Sequence, residues 1–262
     1  MKIGLFDSGL GGLTILRSVT KLLPEYDYVF YGDTAHLPYG DKTETEIYEL
    51  TKVGMRYLFD AGAAVVVIAC NTASAETARR LQREFLPAEY PNRKILGIIV
   101  PTVEALQFES PTDVVLIGTK RTIESGKYQL ELDHKGNGNT RLIQIATPEL
   151  VPLIEMNELE AAAQQAIVRI EAEAAKCEVV VLGCTHYTQI KTQLRTHFSN
   201  QKRILSQDEI IPEKLRQYLE KHQEISATLS RAGERIIHLT AHRPDYDQLI
   251  GQFLGGVFLS PE

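Results

Sequence analysis

Val65–Ser74 reads VVVIACNTAS, and the fold turns on how it is read. Val65 to Ile68 form a continuous apolar run that leads into Ala69 and Cys70. A short run of this kind predicts a strand buried on both faces, the pattern of a parallel sheet. Asn71, Thr72, Ala73 and Ser74 follow, and their cap-forming side chains predict the start of a helix. Cys70 then stands at the carboxyl end of a central strand, facing free N–H groups at a helix N-terminus. Open α/β sheets bind ligands at that edge, and a cysteine placed there is expected to have a lowered pKa.

The pattern returns at Glu178–Thr188, EVVVLGCTHYT. Val179 to Leu182 form the apolar run, Gly183 stands where Ala69 stood, and Cys184 ends the strand before Thr185, His186 and Tyr187. One such cysteine is ordinary, because Cys is among the most buried residue types. Two, each closing a similar strand, predict two similar half-domains that each present one thiol, in preference to two core cysteines.

Composition bounds the rest. A chain of 262 residues accommodates one large or two modest α/β domains. The formal net charge is -6 with both signs mixed throughout, and no Lys/Arg-rich run suggests a nucleic-acid interface. The opening MKIGLFDSG reads as a strand entering a glycine loop, without the apolar core of a signal peptide. No apolar stretch approaches the ~18 residues of a membrane helix. Three cysteines with no Cys-x-x-Cys argue against a disulfide framework or zinc knuckle and point to a reducing cytoplasm. Cys177, just before the second strand, reads as structural.

Along the chain, further strands are expected at Lys2–Phe6, Tyr28–Tyr31, Ile95–Ile99, Val114–Gly118, Arg141–Ile145 and Arg235–Leu239. Helices are expected at Leu13–Leu22, Thr43–Phe59, from the Asn71 cluster to Phe85, and from Pro101 onward. Others follow around Ile123–Tyr128, at Pro148–Glu155, after a cap at Asn157, at Asp208–Leu219 and at Tyr246–Phe253. Gly136, Asn137, Gly138 and Asn139 make Asp133–Thr140 a mobile turn. Strands alternating with helices mean an α/β protein with parallel sheets. The expected division is 1–98 plus about 208–262 for the Cys70 side and 99–207 for the Cys184 side, related by a pseudo-two-fold with the site between them. No linker separates the halves, so the last segment is expected to return to the first domain.

Two loops carry candidate chemistry. Asp7–Gly12, DSGLGG, resembles a dinucleotide fingerprint only in part: the third glycine is due at position 14, which is Thr14, although Asp33 imitates the ribose-binding acid. A tight strand-to-helix turn is the plainer reading. Asp7 then serves as a helix cap or, beside a cleft, as an ammonium ligand or proton relay. Gly32–Gly40, GDTAHLPYG, is a connection in which Pro38 fixes the backbone and Gly40 frees it. Alternatively it is a rim offering Tyr39 and backbone N–H groups to a ligand.

Two facing thiols suit a disulfide couple, a soft metal site, or two acid–base groups on opposite faces of one carbon. A metal needs more ligands than the single extra candidate, His186. Redox cysteines usually lie close in sequence. The two-base arrangement explains the duplication: one group removes a proton, the other supplies one from the opposite face, and the reverse reaction exchanges their roles. A free thiol with pKa near 8.5 is mostly protonated at neutral pH, so helix N-terminal N–H groups must help form the thiolate and stabilise the carbanion. Asp7 and His186 are placed to carry protons. N–H groups with Ser8, Asn71, Thr72 and Thr185 form an anion site. No motif contains an Arg poised for a carboxylate.

FDSGLGGLT, GDTAHLPYG, ACNTAS, GTKRTIESGKY and GCTHY, in this order, resemble the glutamate racemase family of the cofactor-independent aspartate/glutamate racemases. The resemblance implies two α/β domains with the site between them, no pyridoxal phosphate, no metal and no other cofactor. It implies that Cys70 acts on the D-enantiomer and Cys184 on the L-enantiomer, assisted by Asp7 and His186. Ser8, Tyr39, Gly40, Asn71, Thr72, Thr185 and His186 match positions that hold substrate. The expected reaction is L-glutamate to D-glutamate in a cytoplasmic homodimer that serves peptidoglycan synthesis, with no nucleic-acid or membrane partner. Aspartate, in a specialised pathway, is the alternative substrate. A non-catalytic amino-acid-binding protein is the remote third, and loss of a thiol would mark it. The chain departs from the family at Thr188–Ile190, where a proline and a leucine pair are usual, at Ser206–Ile211, where an Asp-Ser pair is usual, and at Thr147, often Cys. The family's further acidic helper corresponds to Glu155 or Glu149. These departures bear on the substrate more than on the reaction.

Overall fold

The computed structural model describes residues 1–109, 112–135, 140–199 and 201–255. Among the described residues nine strands form two sheets, and every pairing there is parallel. The first sheet contains β1 (Lys2–Asp7), β2 (Tyr28–Gly32), β3 (Ala63–Ile68), β4 (Lys94–Gly97) and β9 (Arg235–Leu239) in the order β4-β3-β1-β2-β9. The second contains β5 (Asp113–Gly118), β6 (Arg141–Ala146), β7 (Val179–Gly183) and β8 (Arg203–Leu205) in the order β6-β5-β7-β8. β3 and β7 are buried along their whole length, as continuous Val/Ile/Leu runs require in a sheet covered on both faces. The strand–cysteine unit is thus duplicated, while the sheets differ in having five and four strands.

Register brings the chemistry to common edges. Asp7 pairs with Gly32 and Phe6 with Ile68, so Asp7, Asp33 and the residues after β3 emerge at one end of the first sheet. Gly118 pairs with both Ala146 and Gly183, which does the same for Thr119, Thr147 and Cys184. One apolar core runs through both sets, from Leu5 and Val65 by way of Leu13, Leu215 and Phe253 to Val115 and Val180. A smaller one, with Phe6, Ile47, Met55, Val66 and Ile68, fills the other face of the first sheet. Among the described residues no helix is long and apolar enough to cross a membrane.

Several expected boundaries move. Ile99 leaves β4 and starts the helix Ile99–Glu109, so Pro101 lies within its first turn. The helix after Cys70 ends at Arg80 and continues as a π-helical turn, Leu81–Phe85, and a short helix, Leu86–Glu89. The helix expected around Ile123–Tyr128 is two, Lys120–Glu124 and Lys127–Lys135, parted at Gly126 with φ of 60°. Asn157 is not a helix cap: its φ is 61°, and Glu158 occupies the N-cap of Leu159–Ala174. Of the turn expected at Asp133–Thr140, residues through Lys135 are helical, and 136–139 lie outside the described residues. The helix Lys191–Phe198 and strand β8 have no counterpart in the sequence reading.

Candidate active site

A cavity of about 430 Å³ opens between the carboxyl edges of the two sheets. Its wall holds Asp7, Ser8, Tyr39, Gly40, Cys70, Asn71, Thr72, Cys184, Thr185 and His186, so the structure brings all ten sequence-derived candidates together. A second depression of about 480 Å³, lined by Arg79, Glu104, Glu131 and Lys214 among others, contains neither Cys70 nor Cys184.

Cys70 occupies the N-cap of Asn71–Arg80, where its Sγ accepts from the Ala73 N–H at 3.4 Å. Ser8 Oγ lies 3.2 Å from the same sulfur. The helix terminus was expected to lower the thiol's pKa. In the protein, burial and then the Asp7 charge outweigh the Ser8 and Ala73 contacts and push Cys70 up to about 12. Low dielectric disfavours a thiolate more than two hydrogen bonds favour it. Burial thus favours the thiol form of Cys70. Asp7 is itself raised, chiefly by burial, against the lowering influence of His186 and the Gly9 N–H. Its carboxylate accepts from Gly9 N–H at 2.8 Å and from the Thr185 hydroxyl at 3.3 Å, a link from one sheet's edge to the other's.

The surroundings of Cys184 differ. A 3₁₀ segment, Thr185–Ile190, follows it in place of an α-helix, so fewer aligned N–H groups face the sulfur than expected. Its neighbour is His186, whose Nδ1 lies 3.9 Å from Cys184 Sγ and whose Nε2 lies 3.1 Å from Glu155 Oε1. Burial opposes a charge on the ring, yet Cys184 and Glu155 override it and push the imidazole up to about 10. Burial alone would raise Glu155, but its bond to His186 holds it below the usual carboxylate range. Two similar strand–thiol units thus carry unlike assistants: Asp7 and Ser8 on one side, His186 and Glu155 on the other.

The remaining candidates are held from behind. The Tyr39 hydroxyl donates to Asp33 Oδ2 at 2.6 Å. Tyr39–Asp41 is a 3₁₀ turn, and Gly40 is not among the left-handed glycines of the described residues, so the freedom expected of it is not used. A Cβ there would first meet Thr119 Cβ at 3.8 Å. Thr72 Oγ1 lies 2.9 Å from Thr119 Oγ1 and 3.2 Å from Thr122 Oγ1, again across the two sets. Cys177 is buried away from the cavity, as its structural reading requires.

The wall also includes Thr119 and Lys120 from the GTKRTIESGKY stretch, Glu155, one of the two acids offered as the further helper, and Arg243, which the sequence reading did not name. Glu155 is distinguished from Glu149 by its partner, since Glu149 faces Arg169 at 3.6 Å. Lys120, within the GTKRTIESGKY stretch, and Arg243, outside every motif, place cations on the wall. Arg243 follows β9, where it pairs with Asp245, and only the folded chain brings it to the cavity that Cys70 also lines.

The profile of the Asp/Glu/hydantoin racemase family matches residues 14–210. A Ruegeria pomeroyi protein named glutamate racemase is 36% identical over 238 residues, 85% of this chain and 86% of its own. The structure of a Francisella tularensis glutamate racemase in complex with D-glutamate superposes with a TM-score of 0.86 at 26% identity, covering 100% of this chain and 96% of that one. A Picrophilus torridus aspartate racemase covers 86% of this chain and 99% of its own with a TM-score of 0.61 at 19% identity, a likeness of fold alone.

Proposed function

This chain belongs to the Asp/Glu/hydantoin racemase family, and on that premise we propose that it is a glutamate racemase in which Cys70 and Cys184 serve opposite faces of the α-carbon. The observation that carries the two-base reading is that two thiols, each from the end of a strand in a different sheet, line one cavity. Glutamate is favoured over aspartate because the relatives that match most of the chain at 36% and 35% identity bear that name.

For the L-enantiomer, the Cys184 thiolate takes the α-proton. The charged His186 ring beside it, backed by Glu155, stabilises the anionic sulfur before the transfer. Cys70, held as a thiol, donates its proton to the carbanion from the other face and inverts the centre. The enzyme is left with a Cys70 thiolate and a Cys184 thiol. Asp7 relays a proton from solvent to the Cys70 thiolate, and the proton taken up by Cys184 leaves through His186 and Glu155 to solvent, which restores the starting enzyme. D-glutamate runs the sequence backwards. No cofactor is assigned a role, since these side chains supply both acid and base. Lys120 and Arg243, with the N–H groups at Asn71 and Thr72, are the donors assigned to the substrate carboxylates.

The proposed division of the chain, 1–98 with about 208–262 against 99–207, is supported by β9 lying beside β2. The proposed setting is the cytoplasm, which keeps both thiols reduced, with the chain as a homodimer supplying D-glutamate for peptidoglycan. Incubation with L-glutamate and L-aspartate separately in deuterated water, followed by chiral chromatography and mass analysis, tests the reading. D-glutamate labelled at the α-carbon is the expected product. Preference for aspartate refutes the substrate assignment, and inversion without solvent deuterium refutes the mechanism. Cys70→Ser and Cys184→Ser should each lose at least about 10²–10⁴-fold of the racemisation rate.

A further inference from the structure

Asn71, next in the chain to Cys70, is gripped by a side chain from a distant helix. Gln207 is the first residue of Gln207–Lys221 and is 1% exposed, and Asn71 is 2% exposed. Their carboxamides pair reciprocally: Asn71 Nδ2 donates to Gln207 Oε1 at 2.7 Å, and Gln207 Nε2 donates to Asn71 Oδ1 at 2.8 Å. A reciprocal amide pair on its own is ambiguous, because turning both groups over leaves both bonds intact.

Two neighbours remove the ambiguity. The Thr102 hydroxyl donates to the Ile98 carbonyl at 2.8 Å, so toward Gln207 Nε2, at 3.2 Å, it acts only as an acceptor. The Tyr128 hydroxyl accepts from Gln207 Nε2 at 2.9 Å and donates to Asn71 Oδ1 at 2.7 Å. The two Nε2 hydrogens are thus shared among three acceptors, and both lone pairs of Asn71 Oδ1 are occupied. Rotating the Asn71 amide would set its NH₂ against two donors. The hydrogen left over is the second one on Asn71 Nδ2, on a residue that lines the cavity.

We propose that Gln207 is a positioning residue of the racemase site: it fixes the Asn71 carboxamide so that an N–H, and not the carbonyl, is presented to a carboxylate of the acidic substrate. The inference rests on the racemase reading above and adds a specificity determinant to it. An amide oxygen turned the same way would repel a carboxylate, whereas an N–H donates a charge-assisted bond. The N–H holds the carboxylate before and during the reaction, so its loss weakens binding more than turnover.

Steady-state kinetics on Gln207→Leu, Asn71→Ala and the double variant test the inference. Gln207→Leu is expected to raise KM for glutamate about tenfold with kcat within about twofold. Asn71→Ala should raise KM similarly, and adding Gln207→Leu to it should change nothing further, because Gln207 acts only through Asn71. Gln207→Glu, which keeps the shape but loses the donor, should raise KM at least as much and substitutes in the same cycle if the leucine variant does not fold. Additive KM effects, an unchanged KM in both Gln207 variants, or a fall in kcat alone overturns the inference. The Asn71 side-chain amide resonances, identified by their loss in Asn71→Ala, supply a readout that needs no turnover. They should move in Gln207→Leu or Gln207→Glu, and unchanged resonances overturn the inference even in an active racemase. A wild-type enzyme that racemises neither acid instead refutes the function, while the resonances still decide the coupling.

Discussion

His186 lies between the Cys184 sulfur and the Glu155 carboxylate, and that placement makes its ring the pH-sensitive part of the site. Cys184 and Glu155 together push it up to about 10 against the cost of burial. Glu155→Gln removes one of the two upward influences. The ring then deprotonates at lower pH, and the alkaline limb of kcat/KM for L-glutamate should move to lower pH. An unchanged limb would show that the carboxylate does not govern the ring. The loss in kcat should stay below the about 10²–10⁴-fold of a direct acid–base group. Stability follows the same pair. A histidine whose folded pKa is raised stabilises fully below its ordinary value of 6.5 and loses that contribution as pH rises through about 10. A lowered glutamate stabilises above its ordinary 4.5 and loses the contribution as pH falls further. The Tm deficit of Glu155→Gln should therefore be largest between those two ordinary values and fade toward pH 10, as thermal melts across pH will show. Gly11 constrains the same ring from the front: a Cβ on it would lie 2.4 Å from Thr185 Oγ1 and 2.5 Å from His186 Nδ1. Gly11→Ala must displace one of them, and misplacement of about 1 Å costs roughly 10² in rate. Such a loss in kcat, with a normal far-UV spectrum, is expected.

The connection from Thr34 to Asp41 is shaped by one buried carboxylate. Asp33 accepts from the Tyr39 hydroxyl at 2.6 Å, from His36 Nδ1 at 2.7 Å and from the Thr240 hydroxyl at 2.9 Å. It thereby ties this cavity-lining loop to the segment after β9 that carries Arg243. Asp33→Ala leaves the Tyr39 hydroxyl, on a residue 2% exposed, without its acceptor, at a cost of about 1–3 kcal/mol. A lower Tm together with a higher KM is expected; a lower Tm with unchanged KM would assign the loop no part in binding. The sequence shows the loop, with its Asp33, Tyr39 and Pro38, but not that Asp33 organises it, because Thr240 reaches that carboxylate only across β2 and β9. What it shows well is whatever is local and periodic. The Val65 and Val179 runs become buried strands, and Thr43 forms the capping box that starts Glu44–Asp60. β8, three residues long, is too short to display a period. Glu155 is visible as an acid, but its choice over Glu149 depends on which one reaches His186. Gln207 stands out only as a departure from the family, and its role depends on Asn71, Thr102 and Tyr128, which converge from three other helices.

The two sheets make one cavity between them, and the three thiols of the chain record that arrangement. Cys70 and Cys184 line it from opposite sheets, while Cys177 is buried elsewhere, with its carbonyl accepting from Lys202 Nζ at 2.8 Å. Alkylation requires the thiolate. Cys70, pushed up to about 12 by burial and by Asp7, should react slowest of the two cavity thiols at neutral pH, and its rate should climb steadily with pH over the alkaline range. Cys184, with the charged His186 ring 3.9 Å from its sulfur, should be modified first. Because both thiols share one cavity, D-glutamate should protect them with the same half-maximal concentration, the single dissociation constant of one site. Cys177, 2% exposed, should stay unmodified with or without ligand while the protein remains folded. Peptide mass analysis after timed iodoacetamide treatment resolves the three positions in one experiment. Different protection constants for Cys70 and Cys184 would mean that a substrate meets one thiol without the other. A bound amino acid would then lie on one sheet's edge instead of between the two, and a proton could not be removed and replaced on opposite faces in a single binding event.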